Sequence, residues 1–296
     1  MIRKELWRFL IAEFAIRIPT VKGGFGMAFL SRTTLLRFVG LAGIAVLILG
    51  AMPFSAQESG APSKEELAAI TARGRKLAEY EAAAAGGTNA MLKGKGAKGS
   101  VTRYIAQKTD RGWVVDFGSL NDGRDAFLVA YEATEARNSR GFKVQMFDPA
   151  RADTGFDLVG ALAMETCLGD LGEAGISYQV AVLPAESGQL YVYVLPAQTD
   201  PNTYVYGADV RYLVSADGTK IVEKHGMHKA LIDTSAVKLP SGAKLEAGTH
   251  GHILSDRPED SDVLLVLARK PAMPEYVGTK NHRYLIHTDG SISELK

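Results

Sequence analysis

Residues 178–195 read YQVAVLPAESGQLYVYVL. Two runs of β-branched, aromatic and aliphatic residues flank Glu186-Ser187-Gly188. A Ser-Gly pair between such runs predicts a β-hairpin, because glycine accepts the positive φ that a tight turn requires. In Leu190–Leu195, alternation puts Tyr191, Tyr193 and Leu195 on one face and Leu190, Val192 and Val194 on the other. Both faces are apolar, which predicts a central strand covered on both sides.

The same punctuation recurs along the chain. Asp110-Arg111-Gly112 separates Val101–Ala106 from Trp113–Phe117, and Asn121-Asp122-Gly123 precedes Ala126–Tyr131. Ala216-Asp217-Gly218 joins Val210–Val214 to Ile221–Glu223, and Thr288-Asp289-Gly290 joins Tyr284–Ile286 to Ile292. Helical signals are fewer. Ser63 followed by Glu66 is a capping box, predicting a helix to about Ala85 that stops at Gly86-Gly87. Lys93–Gly99 (KGKGAKG) reads as a flexible basic connector without the phosphate-loop spacing. Thr154–Leu171 carries Phe156, Val159, Leu162, Ala163, Cys167 and Leu171 near a 3.6-residue period, predicting one internal helix. The expected class is α+β: a mostly antiparallel β-sheet built from hairpins, with an N-terminal helix and one internal helix.

Before these elements comes an apolar stretch, Phe38–Phe54, preceded by Arg32 and Arg37 and followed by Ser55-Ala56-Gln57. This is the pattern of a signal peptide, with retention as an inner-membrane anchor through residues 38–54 as the alternative. A translation start at Met27 would leave a conventional leader. Expected segments are a leader over 1–57, a helix and connector over 58–98, and a β-rich α+β domain over 99–296. The expected location is exported, in the periplasm of a two-membrane cell, with membrane contact through the N-terminal segment. Residues 58–296 carry 27 basic and 31 acidic side chains. That mild acidity argues against nucleic acid as a partner. Cys167 is the only cysteine, so an intramolecular disulfide and a multi-cysteine metal site are excluded. Its apolar neighbours predict a buried, inert thiol.

The strands resemble a family of uncharacterised exported bacterial proteins. The matching stretches are Tyr104–Ala106, Gly112–Leu120 (GWVVDFGSL), Ala130–Glu132, Val182–Ala185, Val192–Gln198 (VYVLPAQ), Gly207–Glu223 and Asp262–Leu267. The resemblance spans roughly residues 65–296 and implies export and a shared fold, with no known activity.

All six histidines lie between residues 225 and 287: His225, His228, His250, His252, His282 and His287. On a strand, His250 and His252 would point to one face, a usual beginning for a Zn²⁺ site built from N and O donors. Asp256, Glu259, Asp260 and Asp262 follow and could supply a carboxylate. The order resembles the JAMM metalloprotease motif, H-x-H…S-x-x-D, with His250, His252 and Asp262 at the ligand positions. Ile253 stands where that motif has proline, Glu259 where it has serine, and the motif's upstream glutamate has no identified counterpart. The candidate metal ligands are therefore His250, His252 and Asp262, joined by His228. The competing reading is a solvated His-x-His pair and a solvated acidic loop. Neither a G-x-S-x-G elbow nor calcium-loop spacing is present, and Asp116 and Asp122 read as turn residues.

Eleven tyrosines include Tyr191, Tyr193, Tyr204, Tyr206 and Tyr212 within one short stretch. Tyrosine suits recognition surfaces and sheet cover alike. Two functions follow: a non-catalytic binding or structural domain for an unknown envelope protein or ligand, or a metal-dependent hydrolase at the His-x-His/Asp site.

Overall fold

The computed structural model describes residues 61–94, 101–136, 141–172, 175–198, 205–233 and 245–296. The leader, Met27 and Tyr204 lie outside the described residues, as does most of the lysine-glycine connector. In chain order the elements are α1 (Lys64–Lys93), β1 (Arg103–Thr109), β2 (Gly112–Leu120), β3 (Phe127–Glu135), β4 (Phe142–Asp153), α2 (Phe156–Leu171), β5 (Tyr178–Pro184) and β6 (Leu190–Pro196). They continue with β7 (Val205–Gly207), β8 (Val210–Val214), β9 (Ile221–Gly226), β10 (Leu231–Asp233), β11 (Gly248–Gly251), α3 (Asp260–Ala268), β12 (Glu275–Gly278), β13 (Arg283–Ile286) and β14 (Ile292–Leu295).

Antiparallel pairing dominates, as the hairpin turns require. One sheet runs β1-β2-β3-β4 and a second β5-β6-β8-β9, with β6 in the interior position its two apolar faces predict. Strands β7 and β10 form a two-stranded ribbon. The third sheet, β11-β12-β13-β14, holds the exception: β11 and β12 are parallel. Parallel neighbours need a crossover, here supplied by α3. No helix among the described residues is long and apolar enough to cross a membrane.

The core forms around the helices. Helix α2 covers Ile105, Val182, Val192 and Val194, and Cys167 is buried there, its thiol pushed up to about 12 by burial. Helix α1 places Leu77, Tyr80, Ala84 and Met91 against Val115, Phe117 and Tyr193. It begins at the Ser63 capping box but runs through Gly86-Gly87 to Lys93 instead of stopping there. Packing explains the glycines: a Cβ on Gly87 would lie 2.9 Å from Val115 Cβ, so they permit close approach to the sheet instead of ending the helix.

Two further expectations are corrected. The acidic run that read as a solvated loop contains the start of α3, and Glu259, Asp260 and Asp262 are buried. Carboxylates in a helix's first turn complement its dipole, and each of these has dedicated partners. Asp116 is not a turn residue either. It lies buried on β2, hydrogen-bonded to the buried Asp157 of α2.

Asp260 docks α1, β8 and α3 on one another. Its carboxylate accepts from Arg73 at 2.9 Å, Arg211 at 2.7 Å and the Tyr193 hydroxyl at 2.9 Å. Replacing Asp260 by alanine leaves Arg211 without its buried counter-charge, and stability measured by chemical denaturation should fall by about 3–5 kcal/mol. A second prediction concerns Asp157, whose carboxyl is pushed up to about 9 by burial and by Asp116. A raised carboxyl pKa adds stability below the unfolded value of about 3.9 and loses it as pH rises towards the folded value. Stability should therefore decline between about pH 4 and pH 9, and Asp157→Asn should flatten that decline in thermal unfolding at a series of pH values.

Candidate metal centre

The βαβ unit β11–α3–β12 assembles the site. His250 lies on β11, paired with Val277 of β12. His252 sits just past the strand end, where its backbone N–H donates to Gly278 O at 2.7 Å. Asp262 follows in the first turn of α3, and His228 arrives from the segment between β9 and β10. One ligand atom from each of these four lies within 4.8 Å of every other. His228 Nε2 and His250 Nε2 are each 3.0 Å from Asp262 Oδ1, and His252 Nε2 is 3.1 Å from Asp262 Oδ2. His252 Nε2 is also 3.0 Å from His228 Nε2 and 3.1 Å from His250 Nε2. All four side chains are buried. The solvated reading of His-x-His is thus corrected: the pair closes on a carboxylate inside the protein.

A surrounding layer of partners orients these groups. His228 Nδ1 is 2.8 Å from Asp209 Oδ1, and His250 Nδ1 is 2.8 Å from Glu275 Oε1. An ionised carboxylate only accepts, so both Nδ1 atoms carry the hydrogen, and in the neutral rings both Nε2 lone pairs face the cluster. Arg269 donates to Glu275 Oε2 at 2.8 Å, and the Glu259 backbone N–H donates to Asp262 Oδ2 at 2.7 Å. Tyr206 of β7 meets His250 edge-on, with ring centroids 5.3 Å apart.

Charge explains the titration behaviour. Burial alone would favour neutral rings, yet Asp262 and Asp209 push His228 up to about 11, and Asp262 and Glu275 push His250 up to about 9. Burial opposes the charge on Asp262, but His252, His228 and His250 hold its carboxyl well below the usual range. Burial, then Glu275 and Asp262, raise the Tyr206 phenol. Everything at the cluster favours added positive charge.

Of the sequence candidates, His228, His250, His252 and Asp262 all converge. His225 pairs instead with Glu259 at 2.9 Å, while His282 and His287 bond to Glu294 and Ser293 away from the cluster. Asp256 caps a turn through Asn281. Asp209, Glu275 and Arg269 carry no signal in the sequence, and Tyr206 stands out there only as one of the clustered tyrosines. They come from separate strands and loops, and only the tertiary fold brings them to the histidines. No protein-family model matches the chain, and no curated protein or solved structure matches it.

Gly248 makes room for this outer layer. A Cβ there would lie 1.8 Å from Glu275 Oε2 and 2.6 Å from the Arg269 guanidinium. Gly248→Ala must displace the carboxylate that orients His250, and metal affinity measured by competitive chelator titration should fall about 10–100-fold. A folded Gly248→Ala variant with unchanged affinity would contradict that role for Glu275.

Proposed function

We propose that this chain is a metalloprotein that holds one divalent transition-metal ion among His228, His250, His252 and Asp262, and that it serves in the cell envelope as a binding or structural domain. The observation that carries the metal is the convergence of three imidazoles and one carboxylate, whose ligand atoms all lie within 4.8 Å of one another. Asp209, Glu275 and Asp262 are buried around the imidazoles against the single guanidinium of Arg269. Protons on His228 and His250 balance these carboxylates; when the rings give up those protons to ligate, two negative charges remain for a metal to answer. A divalent cation supplies that balance where the Nε2 lone pairs converge. A donor set of imidazole and carboxylate without thiolate suits Zn²⁺, and equally Mn²⁺ or Fe²⁺. Export rests on the basic-then-apolar leader ending near residue 57.

A second reading is a metal-dependent hydrolase. It is favoured by the convergence of His250, His252 and Asp262, which such a reaction demands. A bound metal would supply a water whose pKa is lowered to about 7. Four protein donors would make a closed structural site, whereas a hydrolytic site keeps a position open.

The test is metal content. The purified full-length chain should carry about one zinc, manganese or iron per molecule by mass spectrometry. A His250→Ala/His252→Ala double variant should carry none. Zinc at a thousandfold excess over its Kd should add about 4 kcal/mol to the stability of the wild type. Absence of metal from both proteins, with thermal unfolding unmoved by added zinc, would overturn the reading.

A further inference from the structure

Three short strands meet at the histidine cluster: β7 and β10 with three residues each, and β11 with four. None of them supplies a side chain to the buried apolar core. Tyr206 and Ile232 are half-buried, Leu231 is 42% exposed, and β11 consists of Gly248, Thr249, His250 and Gly251. In the sheets described, β7 and β10 pair with one another and β11 is an edge strand beside β12. A two-stranded ribbon is marginal in water unless it packs an apolar face, and elements with few buried apolar contacts open first. Their neighbours are held differently. Helix α3, β12 and β13 bury Val263, Val266, Val277, Tyr284 and Ile286 together with Ile70 of α1. The short strands are held by polar groups. The Val205 N–H donates to Gln198 Oε1 at 3.0 Å. His228, three residues before β10, and His250 of β11 each bring Nε2 to 3.0 Å from Asp262 Oδ1 of α3. Tyr206 of β7 meets the His250 ring edge-on. The donor cluster is thus the point at which the ribbon and β11 are both tied to α3.

Resting on the metal reading above, we infer that the ion is a fastener: its occupancy sets how firmly the β7–β10 ribbon and β11 stay docked on α3, so this corner of the fold responds to the supply of a divalent transition metal such as Zn²⁺. The physical reason is linkage. Any opening that carries His228 or β11 away from Asp262 separates the donors, so the ion binds the docked form and not the open one. Without the ion the same groups are joined by imidazole–carboxylate hydrogen bonds, and the corner is docked but opens more readily. Free ion at a hundredfold excess over its Kd suppresses that opening about 100-fold. Openings that keep the donors together gain nothing. Helix α3, β12 and β13 keep their apolar contacts with α1 in either state, which confines the effect to the short strands and the segment that carries His228.

The experiment is hydrogen–deuterium exchange of the full chain read by mass spectrometry, once with Zn²⁺ at about a hundredfold excess over its Kd and once with a chelator. Backbone amides in residues 205–207, 227–233 and 248–252 should exchange about 100-fold faster with the chelator. Those of β2, β3 and β6 should keep the same rates at labelling times shorter than global unfolding. Equal rates in the three segments with and without Zn²⁺, in a protein that binds one Zn²⁺ per chain, would overturn the fastening and leave the metal site standing. A slowing by Zn²⁺ spread evenly over all strands would overturn it as well, because the ion would then stabilise only the fold as a whole. The wild type alone decides the matter, so no variant has to fold. Failure of the wild type to bind Zn²⁺, Mn²⁺ or Fe²⁺ would overturn the metal reading itself.

Discussion

A carboxylate with no exposed surface, Asp262, lies among three imidazole nitrogens at 3.0–3.1 Å. A charge buried so deeply is costly unless its surroundings answer it. Every element near the site contributes to that answer: β11 supplies His250, the segment after β9 supplies His228, and the end of β11 supplies His252. The first turn of α3 adds the Glu259 N–H. The next ring outward, Asp209 and Glu275, adds negative charge instead of relieving it. Those carboxylates are answered by protons on His228 and His250, or by a cation that replaces the protons. The His228 and His250 imidazoles are held by their far nitrogens, which turns the near ones to the cluster.

The fold serves this cluster through α3. Two residues before Asp262, Asp260 takes Arg73 from α1 and Arg211 from β8. One helix end thus anchors the long N-terminal helix on one side and faces the histidines on the other. The close approach of α1 and α3 depends on Gly74, where a Cβ would meet Val263 Cβ at 2.5 Å. In the β11–α3–β12 crossover the first turn of α3 follows the end of β11, and His252 Nε2 lies 3.1 Å from Asp262 Oδ2. Carboxylates at a helix N-terminus are favoured by the dipole, which lowers the cost of burying both.

Much of this was legible in the sequence, and the limits have physical causes. The Asp-Gly and Ser-Gly turns marked the hairpins because few residues tolerate positive φ. The alternation of Leu190–Leu195 marked the interior strand. His250-Gly251-His252 and Asp262 stood out because ligand chemistry needs those side chains. Helix α3 was hidden by its acidic start, which resembles a solvated loop unless the preference of carboxylates for a helix's first turn is weighed. Strand β4 was hidden because its exposed side chains, among them Lys143, Gln145 and Met146, lack apolar alternation at a sheet edge. The length of α1 was hidden because Gly86-Gly87 marks a helix end as readily as a close helix–sheet contact. Asp209 and Glu275 carry no local signal at all, since their roles exist only after β8 and β12 are brought to the histidines.

Anomalous diffraction from crystals of the protein tests whether this cluster holds a metal ion. Data collected on both sides of the zinc, iron and manganese edges should place one anomalous peak about 2.0–2.2 Å from His228 Nε2, His250 Nε2 and an Asp262 oxygen. Crystals grown with these metals present that show no such peak, with the imidazoles bonded directly to Asp262, would show that the cluster is a proton-bearing polar core and holds no metal.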